Sequence, residues 1–172
     1  MAAYEIRRYD TFTVAETAMG KTAAGQESGS NPKDSKTEGE TAFGRLAGYI
    51  FGKNSRKEKM SMTAPVFSHP NGRLQFVMDS SHQDLGSLPQ PETDAVQLKS
   101  VLGGFFAVKI FSGAAKPEAV KEHEAALRQA LRKDGVDIGS DEYLLARYND
   151  PSTMAVQRRN EVLIPIDDFS LW

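Results

Sequence analysis

The amino-acid sequence predicts an α+β domain of eight mostly antiparallel strands and two α-helices. Three observations carry this. Two segments have helical apolar spacing, short alternating or apolar runs flank each of them, and turn residues separate the runs. The order strand, strand, helix, strand, strand thus occurs twice in 172 residues, although the halves share little residue identity. That length suits one domain, residues 1–172, with a substantial core. A repeat of this kind would set the two helices on one sheet as a pair, with a ligand groove between or beside them.

The elements follow in order. Tyr4–Tyr9 and Phe12–Thr17 read as strands joined by a turn at Asp10–Thr11. Lys21–Lys36 is rich in Gly, Ser, Lys and Asn and reads as a mobile loop. A helix is expected over Thr37–Phe51: Thr37 and Glu40 have capping-box spacing, and Phe43, Leu46, Ala47, Ile50 and Phe51 make one apolar stripe. Gly44, Gly48 and Gly52 share an adjoining strip, which predicts close approach to the helix backbone. Lys53–Lys59 is a polar turn. Alternation over Met60–Ala64 then predicts a strand with Met60, Met62 and Ala64 on one face, ending at Pro65. Asn71–Gly72 is a hairpin signal, with Leu74–Met78 the returning strand. Ser80–Thr93 reads as a long connection.

In the second half, Val96–Val101 and Phe105–Phe111 read as strands around a Gly103–Gly104 turn. Pro117 suits the first position of a helix running to Asp134, with Val120, Leu127, Ala130 and Leu131 inward and Gly135 as its cap. Tyr143–Tyr148 is a further strand, and Val162, Ile164 and Ile166 alternate in the last.

Composition removes several function classes. The absence of cysteine excludes disulfides, thiolate nucleophiles, iron–sulfur clusters and cysteine zinc sites. A net charge of −2 without a broad basic field disfavours bulk nucleic-acid binding. No apolar run is long enough for a membrane span, and no charged-then-apolar leader precedes Tyr4, so a soluble cytoplasmic or organellar protein is expected.

Four runs carry a resemblance: YEIRRY at Tyr4–Tyr9, LAGYIFGKN at Leu46–Asn54, EKMSMTAPV at Glu58–Val66 and YNDPSTMAVQRRNEV at Tyr148–Val162. With these the chain resembles the SOUL heme-binding protein family from Tyr4 to about Ile166. The resemblance implies a distorted eight-stranded antiparallel β-barrel with two α-helices, similar to the gyrase-inhibitor-like fold. It also implies binding of heme or another tetrapyrrole by an apolar surface beside the first helix, in proteins not generally established as enzymes. Carried over by position, that surface involves Glu40, Phe43 and Ala47, with the C-terminal turn around Thr153. The sequence departs from the family pattern at Arg8, where some members have a histidine offered as an iron ligand. It departs again at Thr153, where relatives place a basic residue, and at Asp150–Pro151–Ser152, which stands for the usual Pro-Pro-Trp or Pro-Pro-Met run.

The remaining chemistry is read against packing. Met60 and Met62 offer thioethers to heme iron or copper, but methionine on an apolar strand face is usually core. His69, His82 and His123 have no metal-site spacing, and His123-Glu124 fails the HExxH pattern at Leu127. Arg158 and Arg159 suit heme propionates, or else tie the last loop to the barrel with Asn160 and Glu161. Lys53, Arg56, Lys57 and Lys59 read as a solvated turn. Neither a nucleophile elbow nor triad spacing is present, and Asp167–Asp168 read as a solvated tail. The expected function is a tetrapyrrole carrier, buffer or sensor. The rivals are an enzyme or binder for another small hydrophobic ligand in the same groove, and a protein-interaction module.

Overall fold

A computed structural model describes residues 3–19, 41–150 and 152–166. The expected loop Lys21–Lys36, the pair Thr37 and Glu40, and the tail pair Asp167–Asp168 lie outside the described residues. The chain divides into two compact units, residues 12–101 and residues 1–11 with 102–172.

The contiguous unit holds strands β2 (Phe12–Ala18), β3 (Val66–His69), β4 (Arg73–Val77) and β5 (Gln97–Val101), with helix α1 (Ala42–Ile50). Its ladder runs β3-β4-β2-β5 and every pairing is antiparallel. The other unit holds β1 (Glu5–Tyr9), β6 (Gly104–Phe111), β7 (Leu144–Arg147) and β8 (Asn160–Ile166), with helix α2 (Pro117–Lys133). Its ladder, also antiparallel, runs β1-β6-β8-β7. The units are therefore offset by one strand from the two halves of the sequence. Strand β1 pairs with β6, and β5 pairs with β2.

Each unit has its own core. Leu46, Tyr49 and Ile50 of α1 pack with Ala15, Leu74, Phe76 and Met78. Val120, Leu127 and Leu131 of α2 pack with Ala107, Phe111, Val162 and Ile164. Both helices stop the same way. A positive-φ glycine, Gly52 after α1 and Gly135 after α2, lets the next amide turn back onto the last turn of helix, with Lys53 N donating to Gly48 O and Val136 N to Leu131 O. Gly103 answers a different demand. A Cβ there would lie 2.0 Å from the Tyr9 carbonyl oxygen, so only glycine allows this contact with the end of β1.

Several expectations are corrected. Helix α1 starts later than the capping-box reading, and Thr41 is its cap, its hydroxyl oxygen accepting from Gly44 N at 3.0 Å. Its buried stripe is Ala42, Leu46, Tyr49 and Ile50, whereas Phe51 is the C-cap and exposed. The strip of glycines is not met by a strand at Gly48, where the nearest atoms belong to the flexible Lys53 side chain. Met60–Ala64 forms no strand. Met60 N bonds back to Ile50 O and Thr63 Oγ1 to Val77 O, so this stretch is held by side chains and isolated bonds rather than by a ladder. Met60 is buried and Met62 exposed, so they do not share an environment. In β8 both faces are buried, not only that of Val162, Ile164 and Ile166.

The polar turn after α1 is built on one residue. Asn54 is fully buried, its amide donating to Tyr49 O and Glu58 O while its carbonyl oxygen accepts from Arg56 N and Glu58 N. Asn54→Ala should therefore cost about 2–3 kcal/mol in urea unfolding, because backbone groups lose their partners inside the fold. A cost near zero would show that water replaces all four bonds.

Candidate functional site

On α1 the sequence places apolar residues on more of the circumference than the core can cover. The inward stripe leaves Phe43 on the flank, 43% exposed, with its ring edge-on to Phe76 at 5.2 Å between centroids. Ala47, one turn on, is half-buried. Between them Arg45 is anchored inward, donating to Thr17 Oγ1 at 2.9 Å and to Ala18 O at 2.5 Å. The helix thus presents a small apolar face at Phe43 and Ala47, while Arg45 ties its other side to β2. Tyr49, which the stripe reading missed, is buried and donates its hydroxyl to Pro89 O. Burial and the nearby Glu58 carboxylate push its pKa up to about 12. Its only sequence signal was its place one turn from Leu46.

Of the expected contact residues, Phe43 and Ala47 share α1, Glu40 lies outside the described residues, and Thr153 belongs to the other unit. Thr153 sits in a turn, its N–H donating to Asp150 O and its carbonyl accepting from Arg158 Nε at 2.8 Å.

The RRNEV run contributes Arg159 and Glu161 to a buried ion cluster. Glu161 has no solvent exposure, and its carboxylate accepts from Arg7 Nη1 at 2.9 Å, Arg159 Nη2 at 2.6 Å and the Tyr148 hydroxyl at 2.9 Å. Arg7 also reaches Glu5 and the Tyr9 hydroxyl. Burial alone would raise the Glu161 pKa. The Arg7, Arg159 and Tyr148 hydrogen bonds outweigh it and hold the group below the ordinary carboxylate range. Burial and the same carboxylate push the Tyr148 hydroxyl upward. Asn160 Nδ2 donates to Gly113 O. YEIRRY and RRNEV, near opposite ends of the chain, are thus two sides of one buried ion cluster. In the other unit a similar carboxylate, Glu16, accepts from Lys99 and Gln75 at 2.7 Å each.

The histidines differ in environment. His82 places Nδ1 2.8 Å from Asp79 and Nε2 3.0 Å from Glu58, so both ring nitrogens face carboxylates. The Asp79 bond raises its pKa, burial opposes, and Glu58 adds to the rise. The bonus to stability is complete below its ordinary value of 6.5 and fades as pH climbs through the higher folded value. His82→Gln should cost about 0.5–1 kcal/mol near pH 6 and much less near pH 9. Equal losses at both pH values in parallel melts would mean packing, not charge. His123 stacks on Phe111 at 4.2 Å, and burial, with Lys109 nearby, lowers its pKa. His69 closes β3 with Nε2 buried and without a hydrogen-bond partner among the described residues. No group of three His, Asp or Glu side chains suited to a metal ion occurs among the described residues. In the basic turn Lys57 pairs with Glu92, and Arg56 donates to Ser87 O. No helix among the described residues is long and apolar enough to cross a membrane.

Comparison with solved structures defines the fold class. A hydrolase from Listeria innocua superposes with a TM-score of 0.60 at 11% identity, over 96% of this chain and 92% of that one. The EcmrR C-terminal domain superposes at 0.61 and 10% identity, over 96% and 99%. At these identities the likeness shows an α+β fold and nothing of activity.

Sequence comparison goes further. The SOUL heme-binding protein family profile matches residues 1–165, and the chain belongs to that family. It is 27% identical to human heme-binding protein 2 over 92% of this chain and 76% of that protein. It is 30% identical to heme-binding protein 1 of Xenopus tropicalis over 69% and 65%.

Proposed function

We propose that this protein binds heme or a related tetrapyrrole at the exposed flank of α1, as a carrier, buffer or sensor. Family membership supports the ligand class. The observation that carries the location is Phe43, a large apolar side chain left 43% exposed beside Ala47 on a helix whose other face is fully used in packing. A flat macrocycle face matches such a surface, and its burial stabilises by about 25 cal/mol per Å² before the costs of association. Arg8 occupies the position of the histidine ligand offered in some relatives, and His82 has both nitrogens committed to carboxylates. Apolar contact then contributes most of the affinity, with carboxylate pairing as a supplement. Glu40 and Thr153 complete the proposed contact set by position in the family pattern.

The test is titration with hemin and with metal-free protoporphyrin, followed by the Soret band. Similar affinities are expected for the two, and recovery of unchanged ligand distinguishes a carrier from an enzyme. Binding that vanishes when iron is left out of the macrocycle would mean that coordination holds the ligand.

A further inference from the structure

The unit containing α2 has an open groove of about 580 Å³, within the size range of small-molecule sites. It is lined by Ile110, Phe111, Ser112, His123, Arg158 and Arg159. We propose that this groove is a second binding site, for a flat apolar molecule that carries a carboxylate.

Its two walls differ in chemistry. Ile110 is 49% exposed near the end of β6. On the other side of β6 the buried Phe111 ring backs the partly exposed His123 ring, stacked at 20° between planes, so His123 is the ring held against the groove. Opposing chemistry comes from the segment after the Ala155–Gln157 turn, which Gly113 N ties to β6 through Ala155 O. Arg158 is held by its Nε bond to Thr153 O. Arg159 is held through Nε and Nη2 to Glu161, with its guanidinium carbon 5.1 Å from the Tyr148 ring centre. Nη1 stays outside that pair, and half of the side chain is exposed. The cations are thus positioned before any ligand arrives, which reduces the ordering cost of binding. Lys109 adds positive charge near His123, with Glu122 opposing it, and exposed Asp150 lies near Arg158. Glu161 is already matched by Arg7. Two guanidinium groups beside the exposed Ile110 and the His123 ring favour a carboxylate on a flat apolar body over a bare inorganic anion, which would leave those side chains unused.

The probes are 1-pyrenebutyrate and its neutral counterpart 1-pyrenebutanol, read by pyrene fluorescence anisotropy on the full chain. The acid should bind at least about tenfold more tightly than the alcohol, as expected for a charge-assisted contact. Ser112→Glu alters an exposed side chain and puts a negative charge among the arginines. It should remove that preference, weakening the acid far more than the alcohol. Ile110→Glu should weaken both. Phe43→Asp, in the other unit, should leave acid binding intact, which separates this site from the proposed tetrapyrrole surface. Equal affinity for acid and alcohol in the unaltered protein overturns the proposal. So does undiminished acid binding in both folded groove variants, or loss of acid binding in Phe43→Asp.

Discussion

Phe43→Asp should weaken hemin and metal-free protoporphyrin binding alike, by about tenfold or more, without unfolding the protein. The cause is desolvation: a carboxylate on the contact face must lose water for the macrocycle to lie down, and nothing apolar repays that loss. The fold should survive because Phe43 is 43% exposed and its packing partner Phe76 belongs to a core of many other residues. The far-ultraviolet spectrum and urea midpoint report folding, and Soret titration reports affinity. Single alanine changes at His69, His82 and His123 should leave affinity nearly intact. Unchanged affinities in a folded Phe43→Asp protein would move the tetrapyrrole surface away from α1. Loss of hemin binding alone in one histidine variant would replace the apolar mechanism with iron ligation.

Glu161→Ala should cost about 3–5 kcal/mol of folding stability, the usual range for breaking a buried ion pair. Glu161 has no exposure and accepts from Arg7, Arg159 and Tyr148, so its removal leaves a buried hole, takes the main partner from the mostly buried Arg7 guanidinium and strands the Tyr148 hydroxyl, while half-exposed Arg159 turns to water. Glu161→Gln should cost less, because the shape and part of the hydrogen bonding remain. Acid gives a second reading. The folded pKa lies below the ordinary 4.5, so the carboxylate's contribution is whole above that pH and is lost as pH falls through the folded value. The acid limb of a stability profile should therefore flatten in Glu161→Ala. A cost under about 1 kcal/mol would show that burying the charges cancels their attraction.

Periodicity made most elements legible and tertiary pairing the fewest. Pro117 and Gly135 bracketed α2 correctly, because each acts through its own backbone. The Asn71–Gly72 signal marked the β3–β4 hairpin, but the connection is three residues, Pro70–Gly72, rather than two, and only Gly72 takes a positive φ. The Met60–Ala64 alternation misled, since a strand needs a partner ladder and its backbone bonds elsewhere. Asn54 and Tyr49 went unnoticed for the same reason: each is fixed by carbonyls in distant or irregular chain that no spacing rule names. Arg7 and Glu161 were visible as residues of two family runs, but only the fold joins them. For the candidate site, Phe43 and Ala47 followed from helical spacing together with the family pattern. The groove beside α2 did not, because it joins a strand end, a helix and a turn far apart in sequence.

The pairing of β1 with β6 bears on how the chain is made. Tyr9 faces Gly104 in that ladder, so during synthesis β1 has no partner until about a hundred residues more have been added. At roughly 5–20 residues per second that wait is on the order of ten seconds, long enough for residues 12–101 to collapse around α1. Closing so long a loop costs little more than closing one of half the length, since the entropy grows only with its logarithm. The delay, rather than the energy, sets β1 apart: it is made before residues 12–101 yet completes a sheet made after them, and an alteration within Glu5–Tyr9 acts on the unit built around α2.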